Sequence, residues 1–555
     1  MRFSTVPSIF LASLAALSLA PQAVQAQVAP AWSSVVRAVA PSASPSLGSQ
    51  GAKVVVAPDG SQIVSGYFRG DFTLGGVTLV GSAVANAVNV FVAKFNPDGS
   101  VAWVRQGTSN SSQANQRAYT SVDAAGNVYL SGSFSNQLQF GTTTLTAPAD
   151  VTDAYLVKYD PQGTLLWIRR GGMQTGSVLM EVNTGTDAAG NVYLSGGFSG
   201  GSLNFGSTTV VRAFASSAYL AKFDAAGTLQ WLRQDGGNDS GGANGRGISV
   251  DAAGNAFVTG TQRGISTFGT FTLNSGATPN DNLYLVKYSP QGTPLWARSA
   301  GGAGAESGAD VALDAAGNIA VVGISQQQAS SMYLLRFDVQ GTLLWERFVE
   351  PVGPTFLMGS GVAFDNRGGL YVTGTFQSSI RFGTTTLTAP SGAYNLFLVR
   401  YDQQASVAWA GSVTGPTFND GGSGSDVATD AAGNVFLTGA VGGNVTFGPI
   451  SSPNTGTNVF LARLTAGSIL SRTAAARTSL ALYPNPATGT TTLTLPVGGG
   501  HLVLSDALGR PVREQVLPAV AGTCPVALDG LAPGVYQLRA TLGNGTMATA
   551  PLLVR

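Results

Sequence analysis

Histidine and cysteine are all but missing from this chain, His501 and Cys524 being the single examples of each. One cysteine excludes an intramolecular disulfide framework. With the only histidine near the C-terminus, the residues before it cannot assemble a Ser-His-Asp or Cys-His catalytic group, nor a histidine-ligated zinc centre. Charge is scarce as well: 10% of residues are charged and the formal net charge is +1, so no basic stripe is available for nucleic acid. Helix signals are nearly absent, and past the N-terminal segment no stretch is long and apolar enough for a transmembrane helix.

Residues 1–26 read as a secretory signal rather than as structure. Arg2 supplies a short positive region, Ile9 to Ala20 an apolar stretch too short to span a bilayer, and Val24-Gln25-Ala26 the small residues of a cleavage site. The chain is therefore expected to leave the cytoplasm through the periplasm.

What is abundant is glycine and repetition. A ten-residue phrase reads DAAGNVYLSG at Asp123 and again at Asp187, DAAGNAFVTG at Asp251, DAAGNIAVVG at Asp314, DNRGGLYVTG at Asp365 and DAAGNVFLTG at Asp430, with a degenerate copy, APDGSQIVSG, at Ala57. Its turn glycines, Gly60, Gly126, Gly190, Gly254, Gly317, Gly368 and Gly433, are spaced by 66, 64, 64, 63, 51 and 65 residues. A near-constant period of this length means one supersecondary unit stacked seven times, because a single unit cannot bury its own apolar faces.

Each unit reads as four strands. The DAAGN turn joins the first to the second, a variable excursion follows, and a third strand enters a D-x-x-G turn before a fourth strand that carries tryptophan. In both turns Asp accepts backbone N–H groups and Gly takes the positive φ that closes the hairpin. Strands such as AYLVKY are apolar on both faces, which suits a sheet sandwiched between neighbours. The tryptophans Trp32, Trp103, Trp167, Trp231, Trp296, Trp345 and Trp409 all fall on the fourth strand, and each is expected to be mostly buried. Trp32 precedes the first complete unit, and the last unit stops after its third strand, Asn458 to Leu464. Letting the Trp32 segment complete the last sheet closes the ring and removes two exposed edges. The expected fold is all-β, a seven-bladed β-propeller over residues 27–465; an open β-solenoid is the alternative.

The pattern D-x-x-G-N followed by a hydrophobic strand, D-x-x-G and a tryptophan strand resembles the bacterial β-propeller repeat called SBBP, and is similar in plan to NHL repeats. The resemblance implies a fold and no particular activity. The stretch DPQGTLLW at Asp160 also resembles the Asp box of sialidase propellers, but its Asp-to-Gly gap is one residue longer, and no sialidase chemistry is carried over.

Strand alternation puts the DAAGN and D-x-x-G turns on one face of the ring and the variable connections on the other. Aspartates that recur once per unit are read as architectural, as are the third-strand cations Lys94, Lys158, Lys222, Lys287, Arg336, Arg400 and Arg463. The Gly-, Asn- and Asp-rich connections from Gly236 and Phe418 are the best site candidates, with Asp239 and Asp420 as weak calcium ligands and otherwise no cofactor. Glycan or protein ligands are expected on the variable face.

After residues 466–479, a small polar stretch read as a linker, residues 480–555 show short strands at the spacing of a small β-sandwich. The ordered landmarks LYPNP (Pro484, Asn485, Pro486), SDALGRPV (Asp506, Gly509, Arg510) and LAPGVYQLR (Gly534, Tyr536) resemble the type A sorting domain of the type IX secretion system of Bacteroidetes. The resemblance implies export by that machinery, removal of the module, and release or surface attachment. Two functions are open to such a chain: a non-catalytic secreted or cell-surface binding scaffold, expected to be monomeric, or a polysaccharide hydrolase or lyase with carboxylates and tyrosines on the variable face.

Overall fold

The computed structural model describes residues 31–555 except 40–47, 113–117, 175–176, 212–215, 238–240, 277–279, 303, 327–329, 353–355, 391, 414, 418, 454–455, 466–477, 480–481, 496–498, 507–509 and 543–546. The signal segment, Asp239, Gly509 and most of the linker thus lie outside the described residues. The chain divides into two compact units, Met1–Gly467 and Ser468–Arg555.

Among the described residues the first unit holds seven four-stranded antiparallel meanders, two of them extended to six strands by an added hairpin. Their first strands, Ser49–Val56, Ala118–Val122, Val178–Thr186, Gly242–Val250, Glu306–Leu313, Leu357–Phe364 and Gly421–Thr429, touch in a closed cycle. This is a β-propeller, with each sheet's faces buried against its neighbours and separate apolar clusters between them. The both-sided apolar strands are explained by that sandwiching: Val128–Ser135 and Thr152–Tyr159 are buried along their whole length.

The glycine that ends the ten-residue phrase has its own cause. Among the described residues six of the seven first strands carry a β-bulge opposite that glycine, as between Gly245 and Ile248 or Gly308 and Asp310. A Cβ on Gly260 or Gly323 would stand 1.9 or 2.0 Å from a carbonyl oxygen of the bulged strand, so no other residue fits.

Closure follows from backbone pairing. Ala31–Arg37 runs antiparallel to Asn458–Thr465, with Trp32 opposite Leu464 and Arg37 opposite Phe460. Arg37 adds a clamp that the sequence reading did not anticipate. Its guanidinium donates to the carbonyls of Gly443 (3.0 Å), Ser452 (2.8 Å), Val441 (2.7 Å) and Gly456 (2.9 Å). Val39 and Thr73 then exchange backbone hydrogen bonds of 2.8 and 2.9 Å, tying the same segment to the hairpin Phe72–Leu74/Val77–Leu79 of the first complete unit.

The excursions fold as hairpins whose phenylalanine packs on a third-strand ring, as in Phe140–Tyr155 (5.4 Å between centroids) and Phe268–Tyr284 (4.8 Å). The fifth sheet lacks the hairpin, and its fourth strand compensates: Phe348 stacks on Tyr333 at 4.2 Å and Glu346 accepts the Tyr333 hydroxyl at 2.8 Å. Other units place Gln106, Arg170 or Gln234 where Phe348 stands.

The second unit has a five-stranded and a three-stranded sheet around an apolar core of Leu493, Leu502, Leu504, Val526, Leu538 and Leu552. Thr478–Ser479 pairs in parallel with the terminal strand Met547–Val554, so the last two residues of the expected linker belong to this module. The sequence showed no strand there because a two-residue edge strand has no periodicity to read.

Candidate functional site

The recurring polar residues converge on the turn face. Asp123 shows the arrangement: its Oδ1 accepts the N–H groups of Ala125 (3.0 Å) and Asn127 (2.9 Å), and its Oδ2 accepts the Asn127 amide (2.8 Å). The Tyr129 hydroxyl lies 3.1 Å from the same Oδ2 and 3.0 Å from Gly190 O in the next sheet. Asp187, Asn191, Tyr193 and Gly254 repeat this one sheet further on.

The third-strand cations bridge the same elements. Lys94 pairs with Asp59 at 2.9 Å and reaches Pro161 O of the next sheet at 3.4 Å; Lys158 lies 3.9 Å from Asp123 and donates to Ala225 O at 2.9 Å. Arg400 pairs with Asp365, and Arg463 donates to Pro97 O across the closure at 3.0 Å. Lys158 and Lys222 also lie over the rings of Tyr129 and Tyr193, at 5.0 and 4.9 Å. These cations form no open anion-binding ring.

The tryptophans complete the clasp and are mostly buried, as expected. Among them Trp103 is buried, and the other six are partly exposed at the rim. The indole N–H donates to the neighbouring turn: Trp103 to Pro161 O (3.0 Å), Trp167 to Ala225 O (3.2 Å), Trp231 to Pro290 O (3.1 Å). The ring lies flat on the next D-x-x-G glycine, so that a Cβ on Gly163 would stand 2.7 Å from Trp103. Trp231→Ala should cost about 3–4 kcal/mol, the lower part of the range for large-to-small aromatic changes, measured by chemical denaturation. A neutral result would remove the clasp from the account.

A cavity of about 640 Å³ opens where the turns meet, lined by Ala57, Asp123, Asp187, Asp251 and Asp430 with adjoining Val, Ala and Thr residues. It lies on the repeated-turn face, not the variable one. Its wall is mostly methyl groups and turn backbone, and the carboxylates of Asp123 and Asp187 are engaged within their turns.

Deeper in the ring, three charged residues meet that the sequence reading missed. Lys53 Nζ lies 3.0 Å from Asp310 Oδ1 and 3.2 Å from Asp426 Oδ1, linking the first, fifth and last sheets. Asp426 Oδ2 accepts the Val54 N–H at 2.8 Å and Asp310 Oδ2 the Val362 N–H at 3.2 Å. Gly361 stands between the two aspartates without a side chain; a Cβ there would lie 2.7 Å from Asp426 Cα. Burial alone would lower the Lys53 ammonium, but Asp310 and Asp426 hold it above its ordinary value. Burial raises the Asp426 carboxyl to about 7 against the pull of Lys53. A signal was present: the residue seven positions before each turn glycine reads Lys53, Tyr119, Asn183, Gly247, Asp310, Gly361 and Asp426.

A carboxyl raised on folding contributes stability that is complete below its unfolded value, about 4, and is lost as pH rises through the folded one, about 7. The denaturation midpoint should therefore decline between about pH 4 and pH 7, and Asp426→Asn should flatten that slope. An unchanged slope would refute the assignment.

Asp420 is a loop staple. It is buried, its Oδ2 accepts the Thr417 N–H at 3.0 Å and the Thr417 hydroxyl, and its Oδ1 accepts the Asn444 N–H at 2.6 Å. These bonds hold its carboxyl below the usual range, the Thr417 hydroxyl contributing most. A melting curve of Asp420→Ala should therefore shift down. Among the described residues no three His, Cys, Asp or Glu side chains converge as a metal site.

The landmarks of the terminal module hold its fold. Asn485 donates to Pro551 O (2.8 Å) and accepts the Leu553 N–H (2.9 Å), fastening the last strand, and the Pro484 carbonyl accepts the Thr491 hydroxyl (2.8 Å). Pro486 precedes Ala487, whose N–H donates to Leu553 O at 2.9 Å, and Gly534 opens the strand Gly534–Leu542 opposite Val554. Asp506 and Arg510 close a turn through a 2.7 Å ion pair, and Tyr536 donates to Ala532 O at 2.8 Å.

Comparison with known proteins adds the following. Residues 481–553 match the family described as Secretion system C-terminal sorting domain. An uncharacterized WD repeat-containing protein, L264, of Acanthamoeba polyphaga mimivirus is 22% identical over 312 residues, which is 46% of this chain and 22% of that protein. The chain thus spans less than a quarter of the length of that relative. Among solved structures, similarity extends to PorZ, a bacterial surface component of the type IX secretion system of Porphyromonas gingivalis, at 12% identity over 91% of this chain and 81% of that one, with a TM-score of 0.26. It also extends to an ulvan lyase of polysaccharide lyase family 25, at 11% identity over 75% and 94%, with a TM-score of 0.42. The sorting domain marks the chain for export by the type IX system to the cell surface or beyond it.

Proposed function

We propose that the chain is a non-catalytic binding or scaffold protein built on SBBP-type propeller repeats, delivered outside the cell by its terminal module. One observation carries this reading. The polar residues that recur through the ring are engaged in joining one sheet to the next, as in the link from Asp123 through Tyr129 to Gly190. Chemistry on tyrosine is disfavoured as well: burial pushes the hydroxyls of Tyr129, Tyr155, Tyr193, Tyr219 and Tyr284 above their ordinary value, away from a base active near neutral pH.

Binding is assigned to the variable face. The turn-face cavity presents nearly the same Val, Asp and Ala side chains from several sheets, so it offers little to tell one ligand from another. The purified ring should bind a glycan or polysaccharide in an array and release no shortened product from it. Reducing ends or unsaturated sugars accumulating with time would make it an enzyme. Crosslinks from the bound glycan that fall beside Gly126 and Gly163 would move the site to the turn face.

A further inference from the structure

The terminal module turns two sheet faces to solvent, and their chemistry differs. On the five-stranded sheet the outward positions mix charged and apolar groups: His501, Glu514 and Arg539, with Val503 between the last two and the exposed Val516 and Val535 beside them. On the three-stranded sheet Tyr483, Thr492 and Pro525 are direct cross-strand neighbours, flanked by Thr490 opposite Ala527 and by Thr494. None of the three strands, Leu482–Tyr483, Thr490–Leu495 and Gly522–Ala527, contains a charged residue.

Tyr483 stands out on this face. The polar landmarks around it are engaged inside the module, Asn485 on the last strand and Asp506 with Arg510 in their turn. Tyr483 is 82% exposed, an aromatic ring on an uncharged β surface. Pro484 and Pro486 follow it and carry no N–H, so the edge beside Tyr483 is poorly suited to accept an added strand. A partner here reads side chains.

We propose that this face, with Tyr483 as its anchor, is where a receptor protein of the export machinery recognises the module. The inference rests on the sorting assignment of residues 481–553. An exposed aromatic ringed by small uncharged side chains has the composition of a protein-interface core, where desolvation costs little and one ring carries much of the affinity. A charged partner surface would find no counterpart on these strands.

The test uses the full-length protein in its native host, comparing Tyr483→Ala, Thr492→Lys and the conservative Tyr483→Phe, with His501→Ala on the opposite face as control. Tyr483→Ala and Thr492→Lys should lower the extracellular fraction at least about tenfold, the loss expected of one anchor contact, with the protein accumulating in the periplasm. Tyr483→Phe, which keeps the ring, and His501→Ala should export normally. Melting and protease resistance of the purified variants should match the parent, separating lost recognition from lost folding. Normal export of Tyr483→Ala overturns the proposal, as does export that stays normal while binding to surface polysaccharide is lost, which would make the face a glycan contact. A chain lacking residues 478–555 that still leaves the cell would refute the sorting assignment itself, a separate failure.

Discussion

Deleting residues 27–40 should leave a ring that expresses poorly, melts lower and self-associates, although those residues are a small part of it. The strand Ala31–Arg37 supplies the fourth strand of the closing sheet, so its loss bares the Asn458–Thr465 ladder along one edge. It also removes Trp32, which packs on Phe447 at 5.2 Å, and the Arg37 guanidinium, which leaves four carbonyls of the last sheet's hairpin region without their donor. Losing a half-buried aromatic and a set of charge-assisted hydrogen bonds together costs on the order of 5 kcal/mol or more. Arg37→Ala alone should show about half of that, and urea denaturation of the two variants measures the difference. A truncated ring that stays monomeric at unchanged stability would mean that closure contributes nothing.

The second large effect concerns delivery. A chain ending at Thr465 should fold, because that residue ends the last propeller strand and the closing strand comes from the N-terminus. In the native host it should stop in the periplasm while the full-length protein reaches the surface or the medium, a loss of export that is essentially complete. The two compact units make this separation possible: the module's core is made from its own leucines, and the ring's clusters from residues before it. Immunoblots of periplasmic and extracellular fractions decide it; export of the shortened chain would reassign the module as a second binding domain.

Much of this fold was legible because its causes are local and repeated. The DAAGN and D-x-x-G turns announce themselves through Asp and Gly, and the shortened fifth interval correctly marks the sheet without a hairpin. What could not be read depends on register. The bulges in the first strands re-aim Lys53, Asp310 and Asp426 into one another, although 257 and 373 residues separate the partners. Nothing in the sequence singles out Arg37, because the carbonyls that surround it lie more than 400 residues away. The partner of each tryptophan was also out of reach, because the turn carbonyl that receives its N–H belongs to the next sheet. Phe348 replaces a missing hairpin, a substitution visible only once the third-strand ring it covers is known.

The variable face stayed unread for a different reason. Its connections are unique, so repetition gives no alignment among them, and Asp420 shows how a residue that looks like a ligand donor can be holding its own loop. On the turn face the opposite holds: repetition made each Asp visible and also explained it.

The central claim is that the ring is the delivered product and the terminal module its address. Mass spectrometry of the mature extracellular protein tests this most directly. The mature protein should end within residues 466–477, between the last propeller strand and the module, with the module absent. Extracellular protein that still ends in Arg555 would contradict it.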